Sequence, residues 1–238
     1  MPIDLTISNE HCLFLDRIFF LSSKYENTPN IMIECSNNQI IFYTYLNEDL
    51  IYFKAKDAFF SSIESEPSYF CVQLQSFWIS GMTTVNISIK QNEMILKYFF
   101  NTENKFTRIL DLMDCDILEM PISTFNYRFD QIINQMNQES AIVRIEYENI
   151  KIKQKSEISE KIITENIKKG GCNLQFSINY KQIKNLKRFH SIFDEFYGIE
   201  RIFIGIDDDG PLSVHISNIE MDFYYFTAVD VQKIYDES

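Results

Sequence analysis

Lys181, Lys184, Lys187 and Arg188 are the residues of this chain whose types and spacing most directly suggest chemistry, namely neutralisation of a polyanion. Read as a helix, they fall with Ser191 in one arc of roughly 120°, at about 100° per residue. Ile183, Leu186, Phe189 and Phe193 fall opposite, so the helix would pack by an apolar stripe and present four cations together. No acid enters the stretch until Asp194. A solvated face normally mixes both signs, because i,i+4 pairs then support the helix. Taken alone, the segment also reads as a solvated lysine-rich face. In a chain of net charge −12, with 22 basic against 34 acidic residues, an unmixed cationic face favours a polyanionic partner.

Other reactive side chains do not assemble. His11, His190 and His215 fall on different elements without ligand spacing, so no zinc site is expected. Asp207, Asp208 and Asp209 before Gly210 lack the spacing of a calcium loop and read as a hairpin turn. The five cysteines include no CxxC and read as reduced core residues of a cytosolic or nuclear protein. There is no GxGxxG, P-loop, GxSxG or HExxH, and no carboxylate pair stands out as catalytic. The expectation is a protein that is not an enzyme and takes no cofactor and no metal. No apolar run approaches the ~20 residues needed to cross a bilayer, and none reads as a leader, so no membrane partner is expected.

The elements that must position the cations are mostly strands. Short aromatic and β-branched runs between turn residues predict strands at 2–8, 30–35, 39–46, 50–57, 69–73, 83–90, 93–101 and 105–113. The series continues at 116–122, 140–147, 149–156, 159–167, 172–178, 201–207, 211–217 and 221–229. Four helices are predicted. One follows Ser8-Asn9 and runs to about Lys24, and a short one covers Leu74 to Ser80, with Trp78 in the core. A third starts at Ser123 and ends near Asn137; the last runs from Asn179 to about Phe193. Each helix follows one strand and precedes three, which makes four βαβββ units, at about 2–57, 69–113, 116–167 and 172–229. Two units make a half, so the chain divides into similar domains at 1–114 and 115–238.

Charge follows the same division. The third helix would bury Phe125, Phe129, Ile132 and Met136 and turn Arg128, Gln131, Asn134 and Gln135 outward. The first carries Arg17 and Lys24 two turns apart on one side. Most acids fall in strands and turns: Glu48-Asp49, Glu64 and Glu66, Asp111 to Glu119, Asp207 to Asp209, and Asp236-Glu237. Basic helices and acidic sheets are the expectation.

This organisation resembles the DNA sliding clamps, the family of proliferating cell nuclear antigen. Met120-Pro-Ile-Ser-Thr-Phe125 followed by Ala141-Ile-Val-Arg-Ile145 is similar to the entry into a clamp's second domain. Gly210-Pro-Leu-Ser-Val214 and Met221-Asp-Phe-Tyr-Tyr-Phe-Thr-Ala228 are similar to its last hairpin. Tyr45-Leu-Asn-Glu48, Lys56-Asp-Ala-Phe-Phe60 and Asp209-Gly-Pro-Leu212 look most like the nine subunit of the nine-one-one checkpoint clamp. The resemblance implies an α+β fold of two clamp-type domains, antiparallel sheets outside and four helices lining one face. It implies a non-enzymatic nuclear subunit that encircles duplex DNA without reading its sequence and tethers DNA-damage checkpoint or repair proteins.

By the same resemblance Arg17, Lys24, Arg128, Lys181, Lys184, Lys187 and Arg188 face DNA. Tyr45, Leu118, Pro211, Leu212, Tyr225 and Ala228 line a partner-docking pocket, ordinary core packing being the competing reading for each. Ring closure would join edge strands at Lys105 to Met113 and Ser159 to Glu165. The implied partners are two further clamp subunits in a heterotrimer (or copies of itself in a homotrimer) and a clamp loader. Two other readings remain: a divergent homotrimeric replication clamp, and an unrelated β-rich enzyme or ligand-binding protein.

Overall fold

The computed structural model describes residues 3–20, 29–36, 39–46, 49–101, 103–113, 125–136, 140–146, 149–155, 160–166, 174–199, 201–206 and 211–233. The chain forms two compact units, Met1–Glu119 with Ser217–Tyr224, and Met120–Ile216 with Tyr225–Ser238. No helix among the described residues is long and apolar enough to cross a membrane.

In the first unit the elements run β1 (Asp4–Ser8), α1 (Asn9–Phe19), β2 (Asn30–Ser36), β3 (Gln39–Leu46) and β4 (Asp49–Ala55). After a 3-10 turn at Asp57–Phe59 come β5 (Ser62–Glu64), β6 (Ser68–Gln73), β7 (Met82–Lys90), β8 (Glu93–Phe100) and β9 (Lys105–Met113). The lateral order is β5-β1-β7-β8-β9-β6-β2-β3-β4, every neighbour antiparallel. The strands alternate, so Leu5, Ile7, Ile33, Phe42, Phe53, Val85, Ile87 and Leu96 turn to one side and are buried there. Helix α1 covers that side with Cys12, Phe14, Leu15, Ile18 and Phe19. Aromatic rings interlock in this core, with Phe53 and Phe59 centroids 5.2 Å apart and Phe42 edge-on to Phe77 at 5.8 Å.

The second unit contains β10 (Phe125–Arg128), α2 (Asp130–Gln135), β11 (Ala141–Ile145), β12 (Asn149–Lys155) and β13 (Glu160–Asn166). Then follow β14 (Leu174–Ile178), α3 (Tyr180–Tyr197), β15 (Phe203–Gly205), β16 (Leu212–Ser217), β17 (Met221–Thr227) and β18 (Val231–Lys233). Strands β13-β12-β11-β14-β18 form one sheet, and β10-β15-β16 lie side by side. The pairing repeats that of the first unit. β11 meets β14 as β2 meets β6, and β10 meets β15 as β1 meets β7. The internal repeat expected from element order is therefore present in the hydrogen-bonded ladders.

Two expected helices differ. No helix occupies Leu74 to Ser80: the chain there is a loop in which Leu74 and Phe77 are buried. Asp16 of α1 holds it, one carboxylate oxygen accepting from the Phe77 amide at 2.6 Å and the other from the Ser76 hydroxyl. Ser76 Oγ also accepts the Trp78 amide at 3.0 Å, and such side-chain bonds compete with helical ones. Trp78 is thus half-buried rather than core, its indole N–H donating to Asn9 Oδ1 at 2.7 Å. The third expected helix is cut short because Phe125–Arg128 pairs as a strand with β15, leaving only Asp130–Gln135 helical. Three α-helices, not four, occur among the described residues.

Burial of Asp16 raises its pKa from 3.8 to about 6, desolvation outweighing the bonds from Ser76, Phe77 and Trp78. The folded state then binds this proton more tightly than the unfolded chain. Its contribution to stability declines as pH rises from about 4 to about 6 and stays reduced above. Asp16→Asn keeps an acceptor for the Phe77 amide but cannot ionise. Urea midpoints at pH 4 and pH 7 should show the wild type losing about 2 kcal/mol relative to the variant over that interval. Parallel pH profiles would assign the titration elsewhere.

Candidate nucleic-acid interface

Helix α3 begins at an Asn179 cap. Its side chain accepts the Gln182 amide at 3.0 Å while Gln182 Oε1 accepts the Asn179 amide at 2.8 Å. The buried Gln182 amide nitrogen donates to Thr227 Oγ1 at 2.9 Å and to Ala228 O at 2.8 Å, fixing the start of the helix against the end of β17. At the other end Gly198 adopts φ +59°, a left-handed conformation that favours glycine, and its amide closes on Asp194 O at 2.9 Å. Ile183, Leu186, Phe189, Ile192 and Phe193 are buried, as the apolar stripe requires.

The cations divide into two pairs. Lys181 and Lys184 are exposed, and no carboxylate of the described residues pairs with them. The Lys184 ammonium stands 6.0 Å from the centre of the Tyr180 ring. Lys187 and Arg188 are half-buried. Lys187 donates to the carbonyl of Met136, just past α2, and Lys161 donates to Gln135 O at 2.6 Å. Two ammonium groups therefore close the C-terminus of α2, where carbonyls lack helical partners and the dipole is negative. The Arg188 guanidinium lies 5.6 Å from the Phe189 ring centre. Lys187 is a structural cap, which its helical arc alone does not reveal.

Against the helix dipole, α3 is charged the wrong way round. Its first turn holds Lys181 and no acid; its last turn holds Asp194 and Glu195 and no base. Anions stabilise a helix N-terminus and cations its C-terminus, by about 0.3–1 kcal/mol each. The helix forgoes that gain, and the dipole adds its positive end to Lys181 and Lys184. By contrast, three cations of β11 and β12 have carboxylate partners. Arg144 and Lys151 both reach Glu146, at 3.1 and 2.7 Å, and Lys153 reaches Glu160 at 2.8 Å. The expected division into basic helices and acidic sheets is thus corrected. This sheet carries its own cations, and α3 differs in leaving Lys181 and Lys184 without a carboxylate among the described residues.

Of the remaining expected DNA-facing residues, Arg17 is half-buried on α1, and Arg128 is on strand β10 instead of a helix. Lys24 lies outside the described residues, as do Leu118 and Asp207 to Asp209. The expected pocket residues also divide. Leu212 and Tyr225 are core, Tyr225 packing on Phe189 with ring centres 5.1 Å apart and accepting from Asn185 Nδ2 at 3.3 Å. Close packing inside the second unit removes both from any partner's reach. Tyr45 and Ala228 are exposed and Pro211 half-buried. Cys12, Cys35 and Cys71 are buried and in no disulfide. His11 stacks on Phe59 at 4.2 Å with Nε2 3.3 Å from Glu220, and no metal-binding cluster occurs among the described residues.

The two strands expected to close a ring, β9 and β13, have open sides among the described residues. β9 pairs with β8 along its length but meets β6 only at Leu112 and Met113, and exposes Phe106, Ile109 and Met113. β13 ends its sheet, with Ile162 63% exposed. A solved structure of proliferating cellular nuclear antigen from Entamoeba histolytica matches the chain with a TM-score of 0.68, over 96% of this chain and 98% of that one. The chain has the sliding-clamp fold. Sequence identity over this match is 11%, so the likeness is one of fold. No protein-family model and no curated protein matches the sequence. Within the clamp fold the helix of the second βαβββ unit is replaced by the Leu74–Gly81 loop, whereas the fourth unit's helix, α3, is fully formed and carries the cations.

Proposed function

We propose that this chain is a non-enzymatic subunit of a ring-shaped clamp that encircles duplex DNA and tethers checkpoint or repair factors. The observation that carries the proposal is the face of α3, where Lys181 and Lys184 have no carboxylate partner among the described residues and reinforce the positive end of the helix. Phosphates at this face would release counterions without any base being read. Arg188 and Arg17 extend the cationic set, with Arg128 and Lys24 assigned to it by family position. The open sides of β9 and β13 suit head-to-tail pairing of subunits by strand addition.

The resemblance of Tyr45-Leu-Asn-Glu48 and Lys56-Asp-Ala-Phe-Phe60 to the nine subunit favours a nuclear heterotrimer placed on DNA by a clamp loader. Native mass of the purified chain, alone and co-expressed with candidate subunits, tests this. A monomer that is captured into a three-subunit ring is the expected result. A trimer of the chain alone would support the replication type of clamp, and turnover of any nucleic acid or small substrate would overturn the non-enzymatic reading.

A further inference from the structure

We infer that Tyr180, with Lys181 and Lys184, forms a site for an unpaired base, so that α3 binds single-stranded DNA as well as duplex. The inference rests on the reading of α3 as a DNA-binding face and adds a ligand class to it. At about 100° per residue Tyr180 falls inside the arc of the cations, in line with Lys184 one turn on and Lys187 and Ser191 beyond. Tyr180 is 45% exposed, and Lys184 Nζ lies over its ring, 6.0 Å from the centre. Lys181 and Lys184 have no carboxylate partner among the described residues, whereas the Lys187 ammonium donates to the Met136 carbonyl.

An exposed aromatic face and unneutralised ammonium groups on one surface are what single-stranded nucleic acid requires. A base stacks on the ring while the backbone phosphates beside it meet the charges. Duplex DNA cannot use the ring, because its bases are already stacked on each other. Contact through Tyr180 therefore distinguishes strand state, whereas contact through the lysines does not. The Asn179–Gln182 box and the bond of Gln182 to Thr227 fix the backbone that carries the ring before a ligand arrives.

The experiment compares an oligothymidylate with a duplex of equal length, by fluorescence anisotropy over a salt series, using the full chain. Tyr180→Ala should weaken single-strand binding about tenfold and leave duplex binding and both salt slopes unchanged. Tyr180→Phe, which keeps the ring and removes the hydroxyl, should restore single-strand affinity. Equal losses on both ligands, or no loss on either, would overturn the stacking site while leaving the DNA-binding face standing. If Lys181→Glu with Lys184→Glu leaves both affinities and both slopes unchanged, the underlying reading of α3 fails first.

Discussion

Replacing Lys181 and Lys184 together by glutamate should weaken association with duplex DNA about a hundredfold near 0.1 M salt, and flatten the dependence of log affinity on log salt by about 2. Each ammonium lost removes one phosphate contact and its released counterion, and each carboxylate gained repels the backbone. Stability should move the other way. Both side chains are exposed and have no carboxylate partner among the described residues, so no buried contact is lost. Glutamates near the start of α3 also suit its dipole, which predicts an unchanged or slightly raised urea midpoint. Lower affinity with undiminished stability separates a binding face from a merely solvated one. Unchanged affinity and slope would end the nucleic-acid reading. Lys187 is unsuitable for this test, because reversing it would also break the cap on α2.

The second large effect concerns assembly. Ile109→Asp on β9 and Ile162→Asp on β13 should each leave the isolated chain folded, since the isoleucines are 57% and 63% exposed. In a ring closed through these strands each aspartate would be buried without a partner, at several kcal/mol. Association should then fall at least about a hundredfold, which sedimentation or native mass would read as loss of the oligomer. Either variant assembling like the wild type would show that the strand carrying it is not at a subunit contact.

Much of the architecture was legible because strands with one buried face declare themselves by alternation. The Ile31, Ile33 and Cys35 series of β2 is an example, and so is the Ala141, Val143 and Ile145 series of β11. Helix α3 was legible for the same reason at helical period, with a cap at Asn179. The second expected helix failed because its alternative partner, Asp16, is 61 residues from Phe77 in sequence. The third failed at its start because strand pairing with β15, also remote, outweighed the local amphipathic pattern. The same limit divides the site. Lys181 and Lys184 follow from spacing alone, whereas the tie of Lys187 to Met136 spans 51 residues. Tyr180 was within reach of the sequence, on the same arc, but an aromatic at the start of a helix reads locally as packing.

The chain visits its first unit twice, returning with Ser217–Tyr224 after nearly all of the second has been made. Lys56 depends on that return. Its ammonium donates to Asn218 O at 2.8 Å and pairs with Asp222 at 3.1 Å, and its amide donates to Glu220 O at 2.8 Å. A nascent chain released at residue 119 would hold most of an N-terminal core yet lack the segment that satisfies it. The first half is therefore not a portable module. Shuffling that half into another protein, or expressing residues 1–119 as a fragment, would sever a unit that translation completes only at residue 224.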